Sequence, residues 1–209
     1  MTVMTSAVRV SDRGAARWTR GHPWIFRTDV ENGPAEAGLV SVQDSRGRFL
    51  GQALFSPKSE IRLRLLERGE CAVDAAWWRE HLSASIARRE GIDATAVRLV
   101  HGEGDGMPSL IVDRYDRWLS VQLLSAGLET MRGAVLDALE DLLAPAGIML
   151  RNDASVRRHE GLPQEVSIAA GSVPENIVVS EGSVRYLAAL GPGQKPGAFL
   201  DPRPNRPPL

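Results

Sequence analysis

The 209-residue chain has a single cysteine, Cys71, and no long apolar segment. One cysteine cannot form an internal disulfide, and it excludes zinc sites built from paired cysteines. The longest stretch without a formal charge covers only residues 118–128, whereas a membrane-spanning helix needs about 20 apolar residues. Residues 1–10 lack the basic patch and apolar block of a signal peptide. We therefore expect a soluble protein of the cytoplasm.

Lysine is also scarce, and positive charge is concentrated near the N-terminus. Lys58 and Lys195 are the only lysines among the 25 basic residues. Residues 1–30 carry five arginines against Asp12 and Asp29, although the net charge of the chain is −1. Arginine suits phosphate recognition because its planar fork donates two parallel hydrogen bonds. A coding bias accounts for the overall arginine-to-lysine ratio, whereas the clustering indicates an anionic partner.

The pattern of apolar residues predicts an α+β protein made of two small domains. The content of 43% apolar and 24% charged residues is that of a globular protein. Short strands and turns before residue 74 are typical of a small β-barrel. In residues 61–65, aliphatic side chains alternate with Arg62 and Arg64, which we expect to face water. From the N-cap Asp74 onwards, the pattern predicts a mixed α/β domain of the strand-strand-helix-strand-strand type.

Two glycine-rich segments resemble phosphate-binding loops but lack the necessary context. Residues 102–106 (GEGDG) and 191–197 (GPGQKPG) each precede an extended segment, whereas a phosphate-binding loop requires a helix N-terminus at that place. A structural turn is the favoured interpretation of the first segment. The four histidines lack the spacing of metal ligands, and Cys71 has no neighbouring base. We therefore expect neither a metal site nor a cysteine nucleophile.

Arginines and aromatic residues are interleaved in residues 17–27 (RWTRGHPWIFR). Such a segment can bind phosphates while a ring stacks on an RNA base. The alternative interpretation is that Trp24 and Phe26 belong to the core and that the arginines are only solvated. Composition alone favours neither interpretation.

Several motifs spread over nearly the whole chain resemble one family. They are 21–26 (GHPWIF), 47–51 (GRFLG), 101–108 (HGEGDGMP), 110–115 (LIVDRY), 125–127 (SAG) and 151–153 (RND). Together they are similar to the PUA-domain-containing class I S-adenosylmethionine-dependent methyltransferases that make 5-methylcytosine in large-subunit ribosomal RNA. The resemblance implies a PUA-like RNA-binding domain over residues 1–73 and a central α/β domain over 74–175. It implies a β-hairpin and a connecting segment over 176–209.

The same resemblance indicates where cofactor chemistry belongs. Residues 193–206 resemble the segment that opens the family's Rossmann-like methyltransferase domain, which implies a cofactor-side role for Phe199, Asp201 and Arg203. The family's glycine-rich cofactor loop and catalytic cysteine have no counterpart here. Four residues depart from the family pattern: Pro196, Ala198, Pro202 and Pro204. We therefore expect a truncated chain whose methyltransferase domain is missing, which has no catalytic residue, binds no S-adenosylmethionine by itself and is inactive alone.

The predicted function is RNA recognition within an S-adenosylmethionine-dependent 23S rRNA 5-methylcytosine methyltransferase. RNA contacts are predicted for five side chains: Arg17, Arg20, Trp24, Arg27 and Lys58. Ribosomal RNA is the expected partner, with no membrane or metal, and the sequence leaves a homodimer open. The run Asp113-Arg114-Tyr115 is interpreted as a buried ion pair or a hairpin anchor. The alternatives are a non-enzymatic PUA-type RNA-binding adaptor and a non-functional gene fragment.

Overall fold

The first part of the chain folds into a five-stranded mixed sheet flanked by one helix. The computed structural model describes residues 6–191 and residue 200. The elements are β1 (Ser6–Arg9), α1 (Asp12–Thr19), β2 (Trp24–Phe26), β3 (Gly38–Gln43), β4 (Phe49–Phe55) and β5 (Ile61–Glu67). The strands lie in the order β1-β3-β4-β5-β2, with β1 parallel to β3 and the other pairs antiparallel. A single 3-10 turn, Arg27–Asp29, follows β2.

The second part contains another five-stranded sheet and most of the helices. Its elements are α2 (Ala75–Ala87), β6 (Ala96–His101), β7 (Leu110–Tyr115), β8 (Trp118–Leu123), α3 (Ala126–Glu129), α4 (Arg132–Leu143), β9 (Gly147–Asn152), α5 (Val156–His159) and β10 (Glu165–Gly171). The strand order is β10-β9-β8-β7-β6, and only β8 and β9 are parallel. A separate hairpin follows, formed by β11 (Ile177–Glu181) and β12 (Val184–Ala188).

Local sequence signals account for the helix that begins the second part. Asp74 caps α2, as predicted, because its carboxylate accepts hydrogen bonds from the backbone N–H groups of Ala76 (3.0 Å) and Trp77 (3.1 Å). Trp78 and Leu82 on the buried face of α2 have no exposed surface. The same apolar cluster contains Leu54 of β4 and Leu66 of β5, which belong to the first sheet. The core of the second part therefore extends onto the first sheet, which also has an apolar cluster of its own.

The strand order corrects the predicted fold class. Three strands, not two, precede the helical pair α3 and α4, so the strand-strand-helix-strand-strand description is wrong. The pair also carries the chain back across the sheet, which is why β9 lies parallel to β8. The expected orientation of Arg64 is wrong as well. It is only 4% exposed because the second part of the chain covers this face of β5.

Candidate nucleic-acid interface

A cleft of about 760 Å³ runs along α1. It is lined by Arg13, Ala16, Arg17, Arg20, Gly21, His22 and Pro23, and we refer to it as the α1 cleft. Arg13, Arg17 and Arg20 share one face of the helix because they are spaced four and three residues apart. Gly21 has φ +90°, in the left-handed region that favours glycine, and it turns the chain away where the helix ends. The helix and its turn thus place three arginines on one wall.

A buried carboxylate lies behind this wall. Asp29 is 2% exposed, and its Oδ1 lies 2.6 Å from Nε of Arg13. Its Oδ2 lies 3.5 Å from Nη1 of Arg17, whose guanidinium also sits 5.0 Å from the centre of the Phe26 ring. Arg17 is therefore held by a charge on one side and an aromatic face on the other. Arg20 is exposed, and no ion-pair partner for it occurs in the described part of the chain.

Trp24 lies at the junction of the two parts of the chain. Its side chain is half-buried, and its indole N–H donates a 2.8 Å hydrogen bond to Oε1 of Glu103 in the second part of the chain. Its ring meets that of His22 edge-on, with the ring centres 6.0 Å apart. Trp24 therefore links the first part of the chain to the second, and it supports the loop that forms one end of the α1 cleft.

Arg27 and Lys58 are exposed but do not line the α1 cleft. Nε of Arg27 lies 3.2 Å from a carboxylate oxygen of Glu60, and both side chains are largely solvent-exposed. The Lys58 stem lies against Gly161 in the second part of the chain. Of the predicted RNA contacts, the structure brings Arg17 and Arg20 together in one cleft. Arg13 and His22 line it too, and the helical spacing of the three arginines was the signal for Arg13.

The glycine segment 102–106 is a structural turn, as the sequence favoured. Gly102 and Gly106 adopt φ +52° and +74°, and a 3-10 turn, Gly102–Asp105, lies between two strands. Asp105 of this turn accepts hydrogen bonds from Arg88, Arg89 and the backbone N–H of His101. Burial alone would raise the pKa of Asp105, but these bonds outweigh it and lower the pKa to about 2. The segment thus anchors α2 and, through Glu103, Trp24.

A group of buried polar contacts joins the two sheets. We call it the domain seam, formed by Ser56, Arg64, Gly127 and Glu160. An oxygen of Glu160 lies 2.7 Å from Nη2 of Arg64, and the two side chains are 1% and 5% exposed. The backbone N–H of Gly127 donates to Oγ of Ser56 at 3.2 Å. Burial raises the pKa of Glu160, but the charge of Arg64 and hydrogen bonds from serines prevail and lower it.

Two further motif residues form buried polar contacts. Asp113 is 1% exposed and lies 2.8 Å from Nε of Arg98, so the interpretation as a buried ion pair is confirmed. Arg151 is 2% exposed, and its guanidinium donates to the carbonyl oxygens of Leu190 and Gly191. The predicted cofactor residues lie outside the described residues, as do the four departures from the family pattern. They are Phe199, Asp201 and Arg203, and Pro196, Ala198, Pro202 and Pro204.

The described residues contain neither a metal-binding group of side chains nor a membrane-spanning helix. No group of three or more His, Cys, Asp or Glu side chains could hold a metal ion in this part of the chain. No described helix is long and apolar enough to cross a membrane.

Comparison with known proteins defines the class of the first domain. The family of PUA-like domains matches residues 8–68, which include α1 and nearly all of the first sheet. This chain therefore contains a PUA-like domain, and the α1 cleft belongs to it.

Relatives in the curated proteins extend the similarity to nearly the whole chain. Ribosomal RNA large subunit methyltransferase I of Klebsiella pneumoniae is 35% identical over 199 residues, covering 90% of this chain and 49% of that protein. The protein of the same name from Photobacterium profundum is 31% identical over 214 residues, covering 97% and 54%. The chain is homologous to these proteins and spans about half the length of the relatives it matches.

Two solved structures share the fold. A "putative sam-dependent methyltransferase" from Streptococcus mutans superposes with a TM-score of 0.80 at 18% identity, over 96% of this chain and 53% of its own. Another, described as a methyltransferase complexed with SAH, has a TM-score of 0.83 at 18% identity, over 96% and 52%.

These superpositions contradict the predicted fold class. Over 96% of its length, this chain shares the fold of about half of each of two proteins described as methyltransferases, so the description with a missing domain is corrected. The expectation that this chain binds no S-adenosylmethionine by itself has no support in them, since one of the matching structures was solved with SAH.

Proposed function

We propose that this chain recognises ribosomal RNA for an S-adenosylmethionine-dependent methyltransferase that makes 5-methylcytosine in the large ribosomal subunit. The observation that carries the proposal is the α1 cleft, where three arginines line one wall of a PUA-like domain. The names of the curated relatives support ribosomal RNA as the substrate. S-adenosylmethionine is the cofactor of this proposal, with Phe199, Asp201 and Arg203 as its predicted contacts.

The proposal assigns phosphate binding to the guanidinium groups of the cleft. Arg13 and Arg20 lie seven positions apart on α1, which corresponds to about 10 Å along the helix axis. Arg17 lies between them, with its side chain 31% exposed towards solvent. Such a row can follow a phosphate backbone, while the exposed ring of His22 offers a stacking surface for a base. Arg27 and Lys58 would extend the positive surface along the same domain.

Salt-dependent binding tests the proposal. The double variant Arg17→Ala/Arg20→Ala removes two phosphate contacts, so we expect affinity for labelled large-subunit rRNA fragments to fall about tenfold or more at low salt. The slope of log K against log salt concentration should decrease by about two. The measurement is fluorescence anisotropy over a series of salt concentrations.

A matched control removes the same charge elsewhere. Arg79 pairs with Asp141 on the surface of the second part of the chain, and Arg185 lies exposed on β12. The variant Arg79→Ala/Arg185→Ala should leave both affinity and slope close to those of the unchanged chain. Equal effects of the two double variants would contradict a specific interface at α1.

A further inference from the structure

Asp29 is an acidic residue directly behind a surface proposed to bind an anion. It lies in the 3-10 turn Arg27–Asp29, which packs so closely under α1 that a Cβ on Gly14 would stand 3.0 Å from Cβ of Asp29. Its backbone carbonyl accepts from the N–H of Ser11, the N-cap of α1, and its Oδ1 accepts from the Ser11 hydroxyl at 3.1 Å. The carboxylate therefore has a fixed position relative to the helix.

This carboxylate contacts two of the three cleft arginines. Arg13 donates from Nε to Oδ1 at 2.6 Å, and its Nη2 also donates to the hydroxyl of Thr28 at 3.2 Å. Arg17 faces the other oxygen of Asp29 at 3.5 Å, too far for a hydrogen bond. Nη1 of Arg17 and Oδ2 of Asp29 are both buried and have no hydrogen-bond partner among the described residues. The carboxylate of Asp29 thus attracts Arg17 by charge, but Nη1 of Arg17 and Oδ2 of Asp29 form no hydrogen bond with each other.

We propose that Asp29 is a positioning residue for RNA binding, which holds Arg13 and Arg17 against the wall of the α1 cleft. The inference rests on the proposed function and deepens it. A free arginine loses rotamer entropy when it is immobilised on a ligand. An arginine that is already fixed loses less, so a buried anchor raises the affinity of the cleft for phosphate.

Simple electrostatics predicts the opposite sign. A negative charge behind the cleft repels phosphate, so its removal should strengthen RNA binding if Asp29 does not position the arginines. A residue that only stabilises the fold would leave the affinity of the folded protein unchanged or higher. The direction of the change in affinity therefore separates positioning from both other roles.

The test compares two aspartates of the same domain. In Asp29→Asn, the charge that holds Arg13 and Arg17 is lost, so we expect affinity for labelled large-subunit rRNA fragments to fall about fivefold, although one negative charge has been removed. The control is Asp12→Asn. Asp12 lies exposed on α1 and accepts from Ser45, without contacting a cleft arginine. Affinity of this control should be unchanged or slightly higher. Binding of Asp29→Asn that is equal to or tighter than that of the unchanged chain overturns the proposal.

A second variant covers the case in which Asp29→Asn does not fold, which circular dichroism would reveal. Thr28→Val removes the other anchor of Arg13 at an exposed position and leaves every charge in place. We expect about a twofold loss of affinity because Arg13 is then held by Asp29 alone, and an unchanged affinity overturns the part of the proposal that concerns Arg13. If Arg17→Ala/Arg20→Ala has no effect, the proposed function fails. If that double variant weakens binding and Asp29→Asn does not, only the positioning role fails.

Discussion

The α1 cleft and the domain seam both contain arginines, but these arginines differ in exposure and in how closely they are paired with a carboxylate. At the seam, Arg64 is 4% exposed and forms a close ion pair with Glu160. In the cleft, Arg20 is exposed and Arg17 stands 3.5 Å from its carboxylate. A buried arginine must be paired because an isolated buried charge is strongly unfavourable. An arginine intended for a ligand must keep donors available.

The difference teaches that the number of arginines is a poor guide to a binding surface. Three arginines of this chain, Arg64, Arg151 and Arg157, are at most 4% exposed and serve the fold. The arginines of the cleft differ because they lie on a wall that faces solvent and are not all paired with carboxylates. If this distinction is correct, changes at the seam should affect stability, and changes in the cleft should affect RNA binding.

The largest effect is expected at the buried ion pair. Glu160→Gln leaves the Arg64 guanidinium buried without its counter-charge, so the free energy of unfolding should fall by about 3–5 kcal/mol. Urea denaturation followed by tryptophan fluorescence measures it. The control is Asp141→Asn, which breaks an exposed pair with Arg79 and should change stability by less than about 1 kcal/mol. Similar losses in the two variants would remove the distinction between seam and surface.

A smaller loss is expected at Gly127, where α3 of the second part lies close against β4 of the first part. A Cβ on Gly127 would stand 2.9 Å from Cβ of Leu54 and from backbone atoms of Phe55, so Gly127→Ala should destabilise the fold by about 1–3 kcal/mol. Gly133 in α4 has no neighbouring atom within 4 Å, so Gly133→Ala should instead stabilise the helix by about 0.5–1 kcal/mol. Thermal melting of both variants checks the opposite signs. Two shifts of the same sign would contradict the close approach.

The smallest effect concerns the loss of folding stability at acidic pH. The pKa of Asp105 is lowered from 3.8 to about 2 in the folded chain, so its contribution is complete above the unfolded pKa and is lost as pH falls through about 2. Asp105→Asn should lower the free energy of unfolding by about 1 kcal/mol at neutral pH, and this free energy should then vary less with pH in the acidic range. Urea midpoints measured between neutral and acidic pH test it. Parallel curves for the two proteins would show that Asp105 has no such role.

Local signals in the sequence were sufficient for part of the fold. The cap of α2 needs only Asp74 and its next three residues. Arg64 could not be placed because strict alternation along β5 indicates two faces without stating what covers each of them. Its partner Glu160 lies 96 residues further along the chain, so local patterns carry no information about the pair.

The candidate site was predictable to a similar extent. The arginine cluster near the N-terminus identified Arg17 and Arg20, and helical spacing would have added Arg13. Asp29 was visible only as a charge that partly offsets the cluster. Its contact with the helix arises because a 3-10 turn folds back under α1, which brings together residues 16 positions apart. Trp24 needed tertiary structure as well, since its partner Glu103 lies 79 positions away.

The hydrogen bond from Gly127 to Ser56 has a consequence for dynamics. The amide belongs to α3 and its acceptor follows β4, so this proton is protected only while the two sheets remain in contact. Amide exchange with deuterated solvent reports the free energy of the opening that exposes each proton. The exchange rate of this one amide therefore sets an upper limit on how often the two sheets separate.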